Sequence, residues 1–214
     1  MLVFVTGGTG YIGSRLIPAL LARGHRVAAL SRPGSARTLA PGCRVVVGDA
    51  LDASSYTPEV GAADALVHLV GVAHPNPRKA AEFVSVDLAS ARAALTAATA
   101  AGVQHLLYVS VAQPAPIMRA YVAARSEAER LIAAAGIAAS ILRPWYVLGP
   151  GHHWPLLLLP AYYLLERLPA TQAAAQRFGL LGVEQMVRAM VCALEAPPTG
   201  IRIWGVPEIR SAAA

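Results

Sequence analysis

Residues 5–16 read "VTGGTGYIGSRL", with Gly7, Gly8, Gly10 and Gly13 crowded into seven positions. The apolar run "LVFV" precedes them, and Ile12, Leu16, Leu20 and Leu21 follow on one helical face, with Gly24 where a helix should stop. The order is therefore strand, glycine loop, helix. Gly8, Gly10 and Gly13 satisfy G-x-G-x-x-G, and Gly7, Gly10 and Gly13 are spaced by three. Glycine permits a tight turn and lets one backbone lie close to another, or to a bound group. The helix that follows offers free N–H groups and the positive end of its dipole, so the unit suits an anion. In this context the pattern reads as a cradle for the pyrophosphate of a dinucleotide.

The rest of the chain repeats the alternation. "RVAAL", "RVVVG", "ALVHLVG", "HLLYVS", "AASILRP" and "IRIWGV" are short, nearly continuous apolar runs, as strands buried on both faces of a parallel sheet require. Helical stretches are expected at 79–101, at 117–135 ending on Gly136, and over "VEQMVRAMVCALEA". The pattern predicts an α/β fold, a doubly wound parallel sheet of Rossmann type, with a short helical C-terminal excursion. With 214 residues, 56% of them hydrophobic, the chain is expected to form a single domain over 1–214. The apolar, proline-punctuated excursion covers about 151–180.

"TGGTGYIG", "GDALD", "LVHLVG", "LLYVS", "YVAARSEAERLI" and "ILRPWYVLGPG" occur in an order and at intervals that resemble the short-chain dehydrogenase/reductase superfamily. The chain is most similar to its atypical NAD(P)-binding branch, related to NmrA-like proteins, to the accessory NAD(P)-binding subunit of respiratory complex I and to NAD-dependent epimerases and dehydratases. The resemblance implies cofactor contacts from Gly7, Gly8, Thr9, Gly10, Tyr11, Ile12 and Gly13. It adds Asp49 and Ala50 beside the adenine, and Val70, Gly71, Arg143 and Pro144 further along the cleft.

Which dinucleotide is expected follows from the end of the second strand. An acidic residue there holds the ribose hydroxyls of NAD, whereas arginine suits a 2′-phosphate. Ser31 and Arg32 occupy this region, and no carboxylate stands between His25 and Leu39. NADP is the expected cofactor, ahead of NAD.

In the reductases that the chain resembles, a tyrosine moves the proton, a lysine four residues later supports it, and a serine or threonine orients the carbonyl. Tyr121 and Arg125 stand at that spacing, one helical turn apart. Arginine keeps the charge but is planar, bulkier and unable to relay a proton. The hydroxyl position falls on Val111, next to Ser110. Tyr121, Arg125 and Ser110 are the catalytic candidates, and a purely structural Arg125 paired with Glu129 is the alternative. Two functions follow: reduction of a small lipophilic carbonyl or quinone-like compound, or a catalytically impaired NAD(P)H-sensing or accessory module that controls a partner.

The formal net charge is +6, but the basic residues are scattered, with Lys79 the only lysine. No nucleic-acid partner is expected. Cys43 and Cys192 lack chelating spacing and are expected to be buried free thiols, with no metal site. His152 and His153 stand near the expected substrate mouth, and His68 and His74 flank the end of the fourth strand. Trp154–Leu165 is an uninterrupted apolar run of about 12 residues, short for a membrane span. It is expected to roof an apolar pocket, or else to meet a membrane surface or partner through 154–168; a nucleotide sugar fits such a site poorly. Without a recognisable leader, the reading is cytoplasmic.

Overall fold

The computed structural model describes residues 1–35, 39–115, 117–150 and 176–212. His152, His153, the apolar run and most of the expected excursion lie outside the described residues. Seven parallel strands form the central sheet: β1 (Leu2–Thr6), β2 (Arg26–Ser31), β3 (Arg44–Val47), β4 (Ala65–His68), β5 (His105–Val109), β6 (Ala139–Leu142) and β9 (Ile201–Trp204). Their spatial order is β3-β2-β1-β4-β5-β6-β9. The order reverses between β1 and β4, which opens a cleft outside the carboxyl ends of these strands. Register across that point pairs Val3 with Ala65 and Thr6 with His68.

The inner apolar runs have become strands covered on both faces of the sheet, whereas the edge strands β3 and β9 leave Val45, Val47, Ile201 and Ile203 exposed. One face packs on α1 (Gly13–Ala22) and on α6 (Val183–Glu195), joined by α7 (Val206–Ser211). Leu16, Ile17 and Leu20 of α1 and Met186, Ala189 and Met190 of α6 are fully buried there. The opposite face packs on three further elements. These are α2 (Thr57–Val60), the run from α3 (Ala80–Glu82) through a π-helical turn (Phe83–Leu88) into α4 (Ala89–Ala100), and α5 (Arg119–Ala135). Ala91, Ala94, Ala97 and Ala98 bring α4 close to the sheet, where larger side chains would hold it away. Gly136, with φ +68°, ends α5 in the left-handed conformation.

A two-stranded parallel pair, β7 (Tyr146–Leu148) with β8 (Leu180–Gly182), stands apart from the main sheet. Trp145 and Phe178 meet edge to face beside it, at 4.9 Å. The thiols depart from expectation: Cys192 is exposed and Cys43 only half-buried. Cys192 falls on the outer side of α6, while Met186 and Met190 take the inner one. No helix among the described residues is long and apolar enough to cross a membrane.

The glycine loop has two kinds of glycine. A Cβ on Gly13 would lie 2.5 Å from the Gly7 carbonyl oxygen and 2.7 Å from Gly8 Cα, so α1 reaches the loop only because that carbon is absent. A Cβ on Gly10 would meet only the Gly7 oxygen, at 3.2 Å, and otherwise opens into the cleft. Gly13→Ala is expected to destabilise the fold by about 1–3 kcal/mol, the usual range for overpacking. Gly10→Ala is expected to leave urea unfolding nearly unchanged while removing dinucleotide binding, and parallel denaturation and binding titrations of the two variants check both outcomes.

Candidate functional site

Every residue expected to touch a cofactor lies at the carboxyl end of a strand in the main sheet. Gly7 leaves β1 with φ +77°, and a Cβ there would come within 2.8 Å of Leu69 carbonyl carbon and 2.9 Å of Val70 nitrogen. Gly8 packs inward, where a Cβ would press on Ile17 at 2.8 Å. Thr9 and Gly10 are exposed at the mouth. Ile12 precedes α1 without a side-chain cap, and the loop itself takes part of that role, Ser14 N–H donating to the Gly10 carbonyl at 2.9 Å. Arg15 Nη1 donates to the Tyr11 main-chain carbonyl at 2.7 Å, and the Arg15 guanidinium lies 4.4 Å from the centre of the Tyr11 ring. These features fit a dinucleotide: a backbone cradle that a Cβ would fill, set on a helix N-terminus.

Ser31 is buried at the end of β2 and its hydroxyl donates to the Arg32 carbonyl at 3.2 Å, while Arg32 itself is exposed. Arg32 forms no ion pair among the described residues. Beyond β3, Asp49 is exposed, and its Oδ1 accepts from Leu51 N–H at 3.0 Å, which fixes the turn that carries Ala50. The structure thus gives Asp49 the turn-forming role that its residue type favours.

Tyr121 and Arg125 share one face of α5, as the spacing required, but Arg125 is turned into the protein and only 6% exposed. Its Nη2 donates to Asp87 Oδ1 at 2.6 Å and its Nη1 to the Val109 carbonyl at 2.8 Å and the Tyr108 hydroxyl at 3.4 Å. Asp87 is fully buried in the π-helical turn, and its Oδ2 accepts from Val72 N–H at 3.0 Å. Tyr121 is half-buried, its ring 5.0 Å from that of Phe83 and 5.2 Å from the Arg125 guanidinium carbon. Gly71 stands against this group: a Cβ there would overlap Arg125 Nη2.

Glu129 is not the partner of Arg125. Its carboxylate accepts from Arg143 through both Nε, at 3.1 Å, and Nη2, from Gln113 Nε2 at 2.7 Å, and from the Ser110 hydroxyl. The reason is rotational: position 129 sits towards the β6 side of α5, whereas 125 faces the π-helical turn. Ser110 is buried, its hydroxyl committed to this carboxylate, and the neighbouring Val111 is buried as well. Arg143 is likewise engaged, and the Pro144 carbonyl accepts from Ala112 N–H at 2.9 Å. A recess of about 480 Å³ lies on the face of α5 opposite Tyr121, and a second of about 340 Å³ lies between Arg143 and the start of α7; both have Gln113 and Arg143 in their walls. Neither includes Tyr121 or the glycine loop.

His68 is buried under the cleft. Its Nδ1 is 2.8 Å from Thr6 Oγ1, its Nε2 is 3.3 Å from Ser90 Oγ, and its ring stacks on Tyr108 at 5.9 Å. Burial, helped by the charge of Arg125, lowers its pKa to about 3. His74 is exposed, with φ +49°. In the loop beyond Val72, Lys79 Nζ donates to the Ala73 carbonyl at 2.6 Å. No group of three or more metal-ligating side chains occurs among the described residues. Asp87 was missed by sequence reading, although a carboxylate inside the apolar stretch "FVSVDL" was a usable signal.

Residues 7–151 match the family model described as NAD(P)H-binding, and the chain belongs to that family. Among curated proteins it is 33% identical over 227 residues to the 3-diazoavenalumate denitrifying reductase of a Streptomyces species, covering 94% of this chain and 74% of that protein. It is 30% identical over 203 residues to the ceramide reductase of Caulobacter vibrioides, covering 93% of this chain but 62% of that one. In fold it is similar to the Bordetella bronchiseptica enzyme WbmH in complex with NAD+, at 19% identity and a TM-score of 0.70, covering 98% of this chain and 78% of that one. The UDP-glucuronic acid 4-epimerase of Bacillus cereus in complex with NAD is as similar, with a TM-score of 0.70 at 19% identity over 96% of this chain and 77% of that one. The likeness to these structures shows the Rossmann-type fold, and the family match shows an NAD(P)H-binding domain with a reductase among its relatives.

The buried state of His68 has a pH signature. Its folded pKa lies below the ordinary 6.5, so the native ring stays neutral where the unfolded one takes a proton. This contribution is complete above pH 6.5 and is lost progressively as pH falls towards about 3. His105, buried beside Ser140 with its pKa lowered to about 4, acts in the same direction. His68→Gln should reduce the stability difference between pH 7 and pH 5 by about 1–2 kcal/mol, as read from urea unfolding at the two pH values.

Proposed function

We propose that the protein is an NADP(H)-dependent oxidoreductase acting on a small lipophilic carbonyl or quinone-like compound. The observation that carries this reading is the placement of Tyr121. It lies against Arg125, which lies against Gly71, in the strand-exit segment whose Leu69 and Val70 back the glycine loop. Tyr121 therefore stands beside the cleft in which the loop would hold a dinucleotide. The bound nicotinamide would supply hydride to the carbonyl carbon, or take it up in the reverse direction. The chain's own part is to hold the pyrophosphate over Gly10 and the N-terminus of α1, and to deliver a proton to the carbonyl oxygen from the Tyr121 hydroxyl. The products balance as alcohol and oxidised cofactor.

A lipophilic substrate is supported by the relatives. One acts, by its description, on ceramide, and another is a ketoreductase of a farnesyl-bearing dihydroquinoline oxide in Stigmatella aurantiaca, 28% identical over 171 residues. The preference for NADP rests on the exposed Arg32 at the end of β2 and on a sequence with no carboxylate between His25 and Leu39. Ser31, Asp49 and Ala50 would border the adenosine half, and Val70, Arg143 and Pro144 the nicotinamide side. A guanidinium matches the planar spacing of phosphate oxygens, and its loss should cost about 1.5–3 kcal/mol. Arg32→Ala is expected to weaken NADPH binding by roughly tenfold or more and to leave NADH binding unchanged, as measured by calorimetric titration.

A second reading, a dinucleotide-responsive accessory module, is favoured by what the structure does with the catalytic supports. Arg125 is spent on Asp87, Ser110 on Glu129, and Val111 offers no hydrogen bond. Partner or membrane contact through 154–168 belongs to this reading. The discriminating experiment follows NADPH oxidation across a panel of lipophilic ketones and quinones, for the unmodified protein and for Tyr121→Phe. Turnover that falls by two to four orders of magnitude in Tyr121→Phe is expected, the range that a general acid contributes. NADPH binding without oxidation of any member of the panel would transfer the assignment to the accessory module.

A further inference from the structure

The sequence reading placed Gly71 among the cofactor contacts and Arg125 among the catalytic residues. The packing points elsewhere for both. We infer that Asp87, Arg125 and Gly71 form a positioning unit that sets the distance between the glycine loop and Tyr121, and that Gly71 is glycine to admit the arginine, not the cofactor.

Three contacts carry this. First, the backbone of Gly7 lies on Leu69 and Val70 so closely that no Cβ fits between them. Second, two residues further along the same segment, Gly71 lies on Arg125 Nη2, again with no room for a Cβ, and Asp87 Oδ1 is 3.1 Å from where that carbon would be. Third, Val72 N–H is held by Asp87 Oδ2. The segment 69–72 is thus gripped by the phosphate loop on one side and by the Asp87–Arg125 pair on the other. Arg125 also binds the last carbonyl of β5 and lies over the ring of Tyr121. A buried, hydrogen-bonded ion pair is rigid because any displacement leaves a charge without compensation. It is therefore suited to fix a spacing, its hydrogen bonds being spent within the protein.

Lysine separates the two roles of Gly71. Its Nζ occupies the place of the arginine Cζ, and a Cβ at 71 would be 3.5 Å from that atom, an ordinary contact. Gly71→Ala is expected to push Arg125 aside and weaken NADPH binding by about tenfold, and Arg125→Lys alone by only a few-fold, within the range of coupling seen for touching residues. The double variant Gly71→Ala/Arg125→Lys is expected to bind NADPH about as well as Arg125→Lys alone.

The test titrates NADPH fluorescence against the unmodified protein and the three variants, and records the melting temperature of each without cofactor. Non-additive losses in both measurements support the inference; rescue of an insoluble Gly71→Ala by Arg125→Lys supports it too. Losses that multiply independently would return Gly71 to direct cofactor contact and overturn it. So would coupled melting temperatures with NADPH affinity unchanged throughout, since the unit would then be a core contact only. If neither Gly71→Ala nor the double variant folds, Asp87→Asn decides. It keeps the shape and an acceptor for Val72, and NADPH affinity equal to that of the unmodified protein would overturn the proposal.

The inference rests on a dinucleotide occupying the glycine-loop cleft, not on turnover. NADPH binding without catalysis sinks the oxidoreductase reading and leaves the coupling to be measured. A protein that binds NADH in preference sinks the cofactor assignment alone, and the same cycle is then run on NADH.

Discussion

The approach of two backbones at the carboxyl ends of β1 and β4 governs the rest of this molecule. Gly7 can lie on Leu69 and Val70 only without a side chain and with positive φ, and Gly13 can close on Gly7 and Gly8 only because it lacks a Cβ. Together these contacts draw α1 against the sheet at the point where strand order reverses. They leave an opening bordered by peptide groups and a helix terminus, where charge can be met without side chains. The binding geometry and the packing of β1, β4 and α1 are thus one arrangement.

Beneath that opening the polar groups are organised in two separate sets. Asp87, Arg125 and Tyr108 connect the π-helical turn, α5 and β5. Glu129, Arg143, Gln113 and Ser110 connect α5 with the exits of β5 and β6. Each places a carboxylate and a guanidinium from different elements in contact where water is scarce, so each is far more valuable intact than with one member removed. Tyr121 lies against the first set, its ring 5.2 Å from the Arg125 guanidinium carbon.

The strands and principal helices were legible because their sequence signals are local. β1 to β6 and β9 are short apolar runs, α4 is rich in alanine, and α5 stops at the glycine expected to end it. The glycine loop was legible for the same reason, since its spacing is contained in seven residues. The partners of Arg125 and Glu129 were not. They depend on which way α5 is rotated against the sheet and on a turn of π-helix that carries Asp87 inward, and neither is encoded in the i, i+4 spacing alone. The β7–β8 pair was missed for a related reason: three-residue strands joined across more than thirty residues of chain have no periodicity to display.

The lone lysine has a consequence for handling the protein. In a chain whose other basic side chains are arginine or histidine, Lys79 is the single ammonium on a side chain, and it sits on the Ala73 carbonyl in the loop that continues from Val72. Amine-directed reagents therefore meet one side-chain target besides the α-amino group. A fluorophore or spin label attached at Lys79 would sit a few residues from the segment 69–72, which lies between the glycine loop and Arg125 of α5. The composition has, in effect, left one side-chain amine, close to the segment that follows β4.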